Sequence, residues 1–277
     1  MNNTVLRSIT GIGFLAVMIG GLLWCKYSFA AIILTIMVMM LVEFYRMTMG
    51  SSYKFSRILA ILAGAILFIL TFLSKSFEQI PGKFVFLSII PVFIVMVNSL
   101  YVKDKTEFGK FANLYAGILY IAVPMTLTNF AVFDSSFNYA GLPLVCFFAI
   151  IWGSDVGAYV FGCTLGQKYG KKLFPEISPK KSWIGFWGGF ATAVAVAVGL
   201  HYAGWLNLPL THSIILAVLM DIAGVYGDLL ESQWKRHYVI KDSGHSIPGH
   251  GGFLDRFDSS LLAIPMGIIC LEVFSML

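Results

Sequence analysis

Between Ser232 and Asp258 the chain reads SQWKRHYVIKDSGHSIPGHGGFLDRFD, a mixture suited to phosphate and metal chemistry. Lys235, Arg236, Lys241 and Arg256 are cations of the kind that pair with phosphate oxygens. Asp242, Asp255 and Asp258 alternate with them, around a Pro-Gly-His-Gly-Gly turn at 248–252. Asp255 and Asp258 are spaced i,i+3, and Asp228 can approach them if its helix neighbours theirs. Carboxylates amid Lys and Arg suit Mg²⁺ held partly by substrate phosphates. His250, between glycines, either donates to a phosphate or caps a turn, whereas His237 and His245 read as solvated loop positions. The sequence has no His/Cys spacing for zinc, no Walker A motif and no Ser/His/Asp arrangement.

A second group lies upstream, in DVGAYVFGCTLGQKYGKKLFPEISPKKSWIGFWGG. Asp155 opens it, Gly162 and Gly166 follow where a helix is expected to end, and Lys168, Lys171 and Lys172 come next. Ser178-Pro179-Lys180-Lys181-Ser182 then leads into another apolar run. A Ser-Pro turn there places lysines and the amides of a helix N-terminus around one anion. Simple enforcement of membrane orientation would explain the same lysines, and both readings stay open.

The elements that position these groups are membrane helices. Of 277 residues 58% are hydrophobic and 12% charged, with a mean hydropathy of +0.83; soluble domains carry about 25% charged residues. Apolar runs predict about nine spans, near 8–25, 29–48, 57–75, 84–101, 111–133, 139–161, 184–204, 213–231 and 259–276, each long enough for a bilayer. The first is read as a span rather than a cleavable signal peptide. All are expected to be helical, since a lone strand leaves backbone groups unsatisfied in lipid. The expected fold is therefore an all-α polytopic membrane protein with one integral domain. Within it, helices of 1–138 serve packing and lipid access, and 139–277 carries the chemistry.

Of the 19 Lys and Arg, all but Lys26, Lys75 and Lys83 fall at the N-terminus or in even-numbered loops. Positive charge marks the cytoplasmic side, which puts the N-terminus in the cytoplasm and the C-terminus outside, in the periplasm. The net charge of +5 is thus a topology signal with room for a phosphate-binding component, and weak evidence for nucleic-acid binding. Cys25, Cys146, Cys163 and Cys270 show no ligand spacing and read as free thiols. Carboxylates inside spans are costly unless paired or facing a wet cavity. Asp155 and Asp228 are read as functional on that ground, and Asp221, seven residues before Asp228, is open between structure and function. Glu43 is expected to pair locally with Arg46 at i+3.

The spacing Ser232-x2-Lys235-Arg236-x4-Lys241-Asp242-x-Gly244-x2-Ile247-Pro248-x-His250-Gly251-Gly252-x2-Asp255-Arg256-x-Asp258 resembles the signature of the phosphatidate cytidylyltransferase (CDP-diacylglycerol synthase) family. Asp155-x2-Ala158-Tyr159-x2-Gly162-x3-Gly166 and Ser178-Pro179-Lys180-Lys181-Ser182-Trp183 resemble its other cytoplasmic motif. Trp234, Ser182 and Ile184 depart from the usual residues, and Ile184 puts a side-chain contact there in doubt. The resemblance is strong over 140–277 and generic before it. It implies transfer of CMP from CTP to phosphatidate, giving CDP-diacylglycerol and pyrophosphate, in a bacterial inner membrane with the site on the cytoplasmic side. Mg²⁺ is implied, as is a monovalent cation such as K⁺, and a homodimer is an expectation at family level. Asp228 and Asp255 are then expected to bind the metal, with Asp258 behind them. Lys235, Arg236, Lys241 and Arg256 would hold phosphates, helped by Ser178, Lys180, Lys181 and Ser182. Asp155 and Tyr159 would line the nucleotide side, and His250, Gly251 and Gly252 would shape the turn beside phosphate.

The nearest alternatives are sister CTP-dependent lipid enzymes, a CDP-archaeol synthase or a polyprenol kinase. A transporter would also explain intramembrane carboxylates, but it predicts related halves and polar residues spread through the midplane. Here the polar chemistry is concentrated after residue 150.

Overall fold

The computed structural model describes residues 3–103, 105–247 and 251–276, with side chains from Thr10 onward. Its helices run in the order α1 (Asn3–Trp24), α2 (Lys26–Met49), α3 (Lys54–Ser76), α4 (Ile89–Tyr101), α5 (Phe111–Gly117), α6 (Val123–Val132), α7 (Leu142–Phe161) and α8 (Gln167–Tyr169). Two short strands follow, β1 (Lys172–Phe174) and β2 (Ser178–Ser182). Then come α9 (Trp183–Tyr202), α10 (Leu210–His237), α11 (Leu254–Phe257) and α12 (Ser260–Met276).

Eight helical segments among the described residues are long and apolar enough to cross a membrane. They correspond to the second through ninth expected spans. The first falls in α1, whose described apolar part, Thr10–Trp24, is shorter. The polytopic α-helical fold is as expected, with local differences. The fourth span opens in a 3-10 segment, Gly82–Ser88, and the sixth does not end at Gly162 and Gly166 but continues through a π-turn there into α8. The fifth span is not one regular helix: a π-turn at Ile118–Ala122 joins α5 to α6. The lysine-rich loop after α7 is a β-hairpin, with Lys172 paired to Ser182 and Phe174 to Ser178. The eighth helix does not stop near 231 but continues to His237, so Lys235 and Arg236 are helical. Cations in a last turn oppose the partial negative charge of the free carbonyls there.

The chain forms two compact units. The first comprises 1–141 together with Ile240–Arg256. Its core is aromatic: Phe29 meets Phe68, Phe133 and Tyr139, and Phe72 meets Phe133. Tyr45, fully buried on α2, donates from its hydroxyl to the Leu114 carbonyl at 2.8 Å. Its ring lies over Gly117, where a Cβ would come within 2.6 Å of it. The π-turn begins one residue later. Helix α4 keeps only Val95 buried, so its apolar surface suits contact with lipid.

The second unit comprises Leu142–Val239 and Phe257–Leu277. Helices α7 and α9 pack through small residues, the pattern that lets backbones approach closely in membranes. A Cβ on Gly157 would meet the Thr192 side chain and come 2.8 Å from the Gly188 carbonyl, and one on Gly189 would lie 3.0 Å from Ser154. Helix α10 packs on α12 and the residues just before it, since a Cβ on Gly224 would stand 3.7 Å from Ala263 Cβ and one on Gly227 2.5 Å from the Asp258 carbonyl oxygen.

Candidate active site

In the second unit the carboxylates expected on α7, α10 and the start of the last helix share one electrostatic environment. Asp155, Asp228 and Glu231 lie close enough to Asp258 to act on its charge. Asp228 is half-buried. Its Oδ2 takes the Lys181 ammonium at 2.7 Å, and its Oδ1 accepts from Ser232 Oγ at 3.2 Å. Lys181 reaches it from β2, so the hairpin delivers this lysine to the C-terminal third of α10. One turn beyond Asp228, Glu231 is fully buried and pairs with Lys235 at i+4. Asp258 accepts the amide of Ser259 at 2.7 Å.

The hairpin itself is held by polar contacts. Gln167 Nε2 donates to the Lys180 carbonyl at 2.8 Å, and Lys172 Nζ donates to Gln167 Oε1 at 2.9 Å. Arg236 Nε donates to the Ile177 carbonyl at 3.2 Å, tying the end of α10 to the residue before Ser178. Lys180 is exposed and Ser178 half-buried. Ser182 is 2% exposed. Its hydroxyl caps α9, accepting the Gly185 amide at 3.1 Å, and it packs on Gly166. That geometry gives Ser182 a helix-start role. Asp155 and Tyr159 sit on the exposed face of α7, Tyr159 at 72% exposure. Asp221 is buried, and its Oδ1 accepts from Ser154 Oγ.

The first unit holds the rest of the signature. Asp255, in the first turn of α11, gathers the loop before it. Its Oδ2 accepts Ser243 Oγ at 2.9 Å, the Ser243 amide at 3.0 Å and the Gly252 amide at 2.9 Å. Its Oδ1 accepts only the Ser243 amide among these, at 3.2 Å. The loop closes through Ile247 N–H donating to the Gly251 carbonyl at 2.9 Å. Gly251 has φ +83, a conformation glycine adopts without strain, and a Cβ there would stand 3.0 Å from Asp255 Oδ2. Lys241 and Arg256 are exposed. His250 lies outside the described residues, so its expected place beside phosphate has no structural counterpart here.

Glu43 departs from expectation. It is 2% exposed. Its carboxylate accepts Ser246 Oγ at 2.6 Å and the Leu254 amide at 2.9 Å, so the local pairing with Arg46 gives way to the signature loop. Sequence reasoning also passed over Glu231. Its signal was present as Glu four residues before Lys on the face of Asp228.

The donor set suits a hard cation, being carboxylate oxygen throughout. Among the described residues no group of three or more His, Cys, Asp or Glu is arranged to hold a metal alone. Such oxygens would suit Mg²⁺ only where substrate phosphates and water supplied the rest of its coordination.

A family model described as the cytidylyltransferase family matches residues 5–274. The chain is similar to the phosphatidate cytidylyltransferase of Bacillus subtilis (strain 168), with 36% identity over 185 residues, 66% of this chain and 64% of that protein. It is similar to those of Staphylococcus epidermidis (strain ATCC 12228), 36% over 181 residues, and Staphylococcus aureus (strain COL), 34% over 175 residues. The matches to these two cover 63% of this chain and 64% of each relative. The matched region thus spans just under two thirds of the length of these relatives. With a match running through nearly the whole chain, the protein belongs to the cytidylyltransferase family.

Proposed function

We propose that this protein is a phosphatidate cytidylyltransferase, converting CTP and phosphatidate to CDP-diacylglycerol and pyrophosphate. The observation that carries the reading is the cluster of Asp228, Lys181, Glu231 and Lys235, carboxylate and ammonium interleaved along the C-terminal third of α10. It supplies what two polyanionic substrates at a lipid head group require, and the relatives' names point the same way.

In the reaction an oxygen of the phosphatidate phosphate attacks the α-phosphorus of CTP. A new P–O bond forms, the bond to the β-phosphate breaks, and pyrophosphate leaves with the electron pair. No enzyme nucleophile takes part, so catalysis rests on positioning and charge neutralisation. Lys181, Lys235 and Arg236, with Lys180 beside them, hold phosphate oxygens; Lys241 and Arg256 are assigned the same task in the first unit. Asp155 and Tyr159 line the nucleotide side. Mg²⁺, when bound, draws charge from the phosphate oxygens and stabilises the leaving pyrophosphate. Asp228 is its proposed carboxylate ligand in the second unit, and Asp255 is carried as a ligand by the sequence signature. The monovalent cation is part of the same reading, with no residue assigned. The distribution of Lys and Arg supports a cell-membrane protein whose site faces the cytoplasm.

The test is purified protein with phosphatidate and Mg²⁺, offered CTP, dCTP, ATP or UTP in turn. Label on the α-phosphate of CTP should enter the lipid. Absence of a CDP-lipid, or transfer of the γ label instead, overturns the reading.

A further inference from the structure

We propose that Glu43 is a positioning residue for this reaction: from α2 it clamps the loop Ile240–Arg256 and so sets where Asp255, Lys241 and Arg256 are held. The inference rests on the cytidylyltransferase reading for its function, while the clamp itself is read from contacts within the first unit.

A carboxylate on an apolar helix is costly unless it is hydrogen-bonded. Glu43 is 2% exposed, and its partners come from the loop. Ser246 Oγ donates to Oε1 at 2.6 Å, and the Leu254 amide donates to Oε2 at 2.9 Å. Leu254 is the first residue of α11, so the contact satisfies a backbone donor at the start of the turn bearing Asp255 and Arg256. The loop also closes around the carboxylate. A Cβ on Gly244 would stand 2.7 Å from Oε1, and one on Gly252 2.5 Å from Oε2. Only glycine allows that approach from both sides.

Gly252 connects the clamp to the site. Its Cα lies against Glu43, while its amide donates to Asp255 Oδ2 at 2.9 Å. Ser243 completes the link, donating to Asp255 from amide and hydroxyl and lying where a Gly252 Cβ would come within 2.6 Å of its Oγ. A shift of the Glu43 carboxylate therefore moves Gly252, and with it the donors that orient Asp255. Charge-assisted hydrogen bonds are the strong ones, so neutralising Glu43 should loosen the loop well beyond fraying.

The experiment uses the full chain in lipid nanodiscs, comparing Glu43→Gln and Ser246→Ala with the parent. The first readout is backbone hydrogen exchange over 243–256, without metal or nucleotide. Glu43→Gln should speed exchange at Leu254 and Gly252 about tenfold or more, Ser246→Ala less, with α3 unchanged. Parent-like exchange in both variants overturns the clamp. The second readout is kinetic. A positioning role lowers kcat about ten- to a hundredfold and raises the Mg²⁺ concentration for half-maximal rate. A residue needed only for folding reduces the active fraction and leaves that Mg²⁺ concentration and KM for CTP at parent values, which overturns the positioning role. Should Glu43→Gln fail to fold, the Ser246→Ala variant, altered at an exposed loop residue, decides by the same two readouts. Should the parent form no CDP-lipid, the cytidylyltransferase reading and the positioning role fall together, and the exchange arm alone still judges the clamp.

Discussion

Replacing Lys235 by Met separates what its ion pair does for stability from what the ammonium does for chemistry. The Glu231 side chain is 0% exposed and that of Lys235 12%. Methionine keeps most of the lysine's apolar volume and removes only the charge, leaving a carboxylate enclosed without that partner. Removing one member of a buried pair costs about 3–5 kcal/mol. At about 2–4 °C per kcal/mol for a chain of this size, the apparent Tm should fall by roughly 10 °C. The reverse change, Glu231→Leu, should cost less, because a lysine at the rim can extend its ammonium to water. The double variant Lys235→Met/Glu231→Leu replaces the pair by apolar groups, which is neutral or mildly stabilising. It should return to within a few degrees of the parent and still make almost no CDP-lipid. Intrinsic tryptophan fluorescence during a fixed-rate thermal ramp measures the first part; incorporation from α-labelled CTP measures the second. If Lys235→Met melts like the parent, or if the double variant loses the sum of the two single losses, the buried-pair argument fails. If the stable double variant turns over normally, Lys235 does not hold phosphate.

Two further outcomes follow from the second unit. Asp228→Asn should lower Mg²⁺-dependent turnover on the order of a hundredfold with little change in Tm; near-normal Mg²⁺-dependent turnover would remove Asp228 from the metal site. Ser182→Ala should cost about 1 kcal/mol through the lost cap on α9, seen as a fall of a few degrees in Tm with turnover within about twofold at permissive temperature, whereas a large loss of turnover at unchanged Tm would make Ser182 a substrate contact instead.

Much of the architecture is legible because lipid leaves few choices. A run such as that of α3 must be helical to satisfy its own backbone, and composition alone locates it. The charged signature is equally legible, since Lys, Arg and Asp at such density have no place in an apolar chain without a task. What escapes is tertiary choice among locally plausible partners. Glu43 stands three residues before Arg46, and a helix-surface pair is the reasonable local reading. Its actual partner Leu254 is 211 residues distant, and nothing near Glu43 signals it. The continuation of α10 to His237 escapes for a related reason. Ser232, Lys235 and Arg236 look like loop residues until Glu231, buried inside the unit, gives Lys235 a helical partner. The β-hairpin is missed because Ser178-Pro179 reads as a turn, whereas these residues lie in β2 and the turn falls at 175–177.

Three of the cations assigned to phosphate, Lys181, Lys235 and Arg236, already have partners, and this supports the reading. A lysine chain carries about 2 kcal/mol of rotamer entropy, much of which an ordered partner removes before any substrate arrives. An ammonium has three N–H donors, so a carboxylate that takes one fixes its position without exhausting it. Lys235 on Glu231 and Lys181 on Asp228 are cations placed in advance, one by a buried partner and one by a half-buried one. Arg236 is held more lightly, by a neutral carbonyl. The same logic explains why the first unit puts two carboxylates under one loop. Asp255 gathers Ser243 and Gly252 from one side and Glu43 holds Ser246 and Leu254 from the other. A glycine-rich loop is flexible by composition, yet polyanion transfer requires charges held within fractions of an ångström. Gly244 and Gly252 bring the backbone to Glu43, and Gly251 brings it to Asp255, at distances that a Cβ would crowd. On the proposed reading these glycines serve to hold the loop rather than to free it.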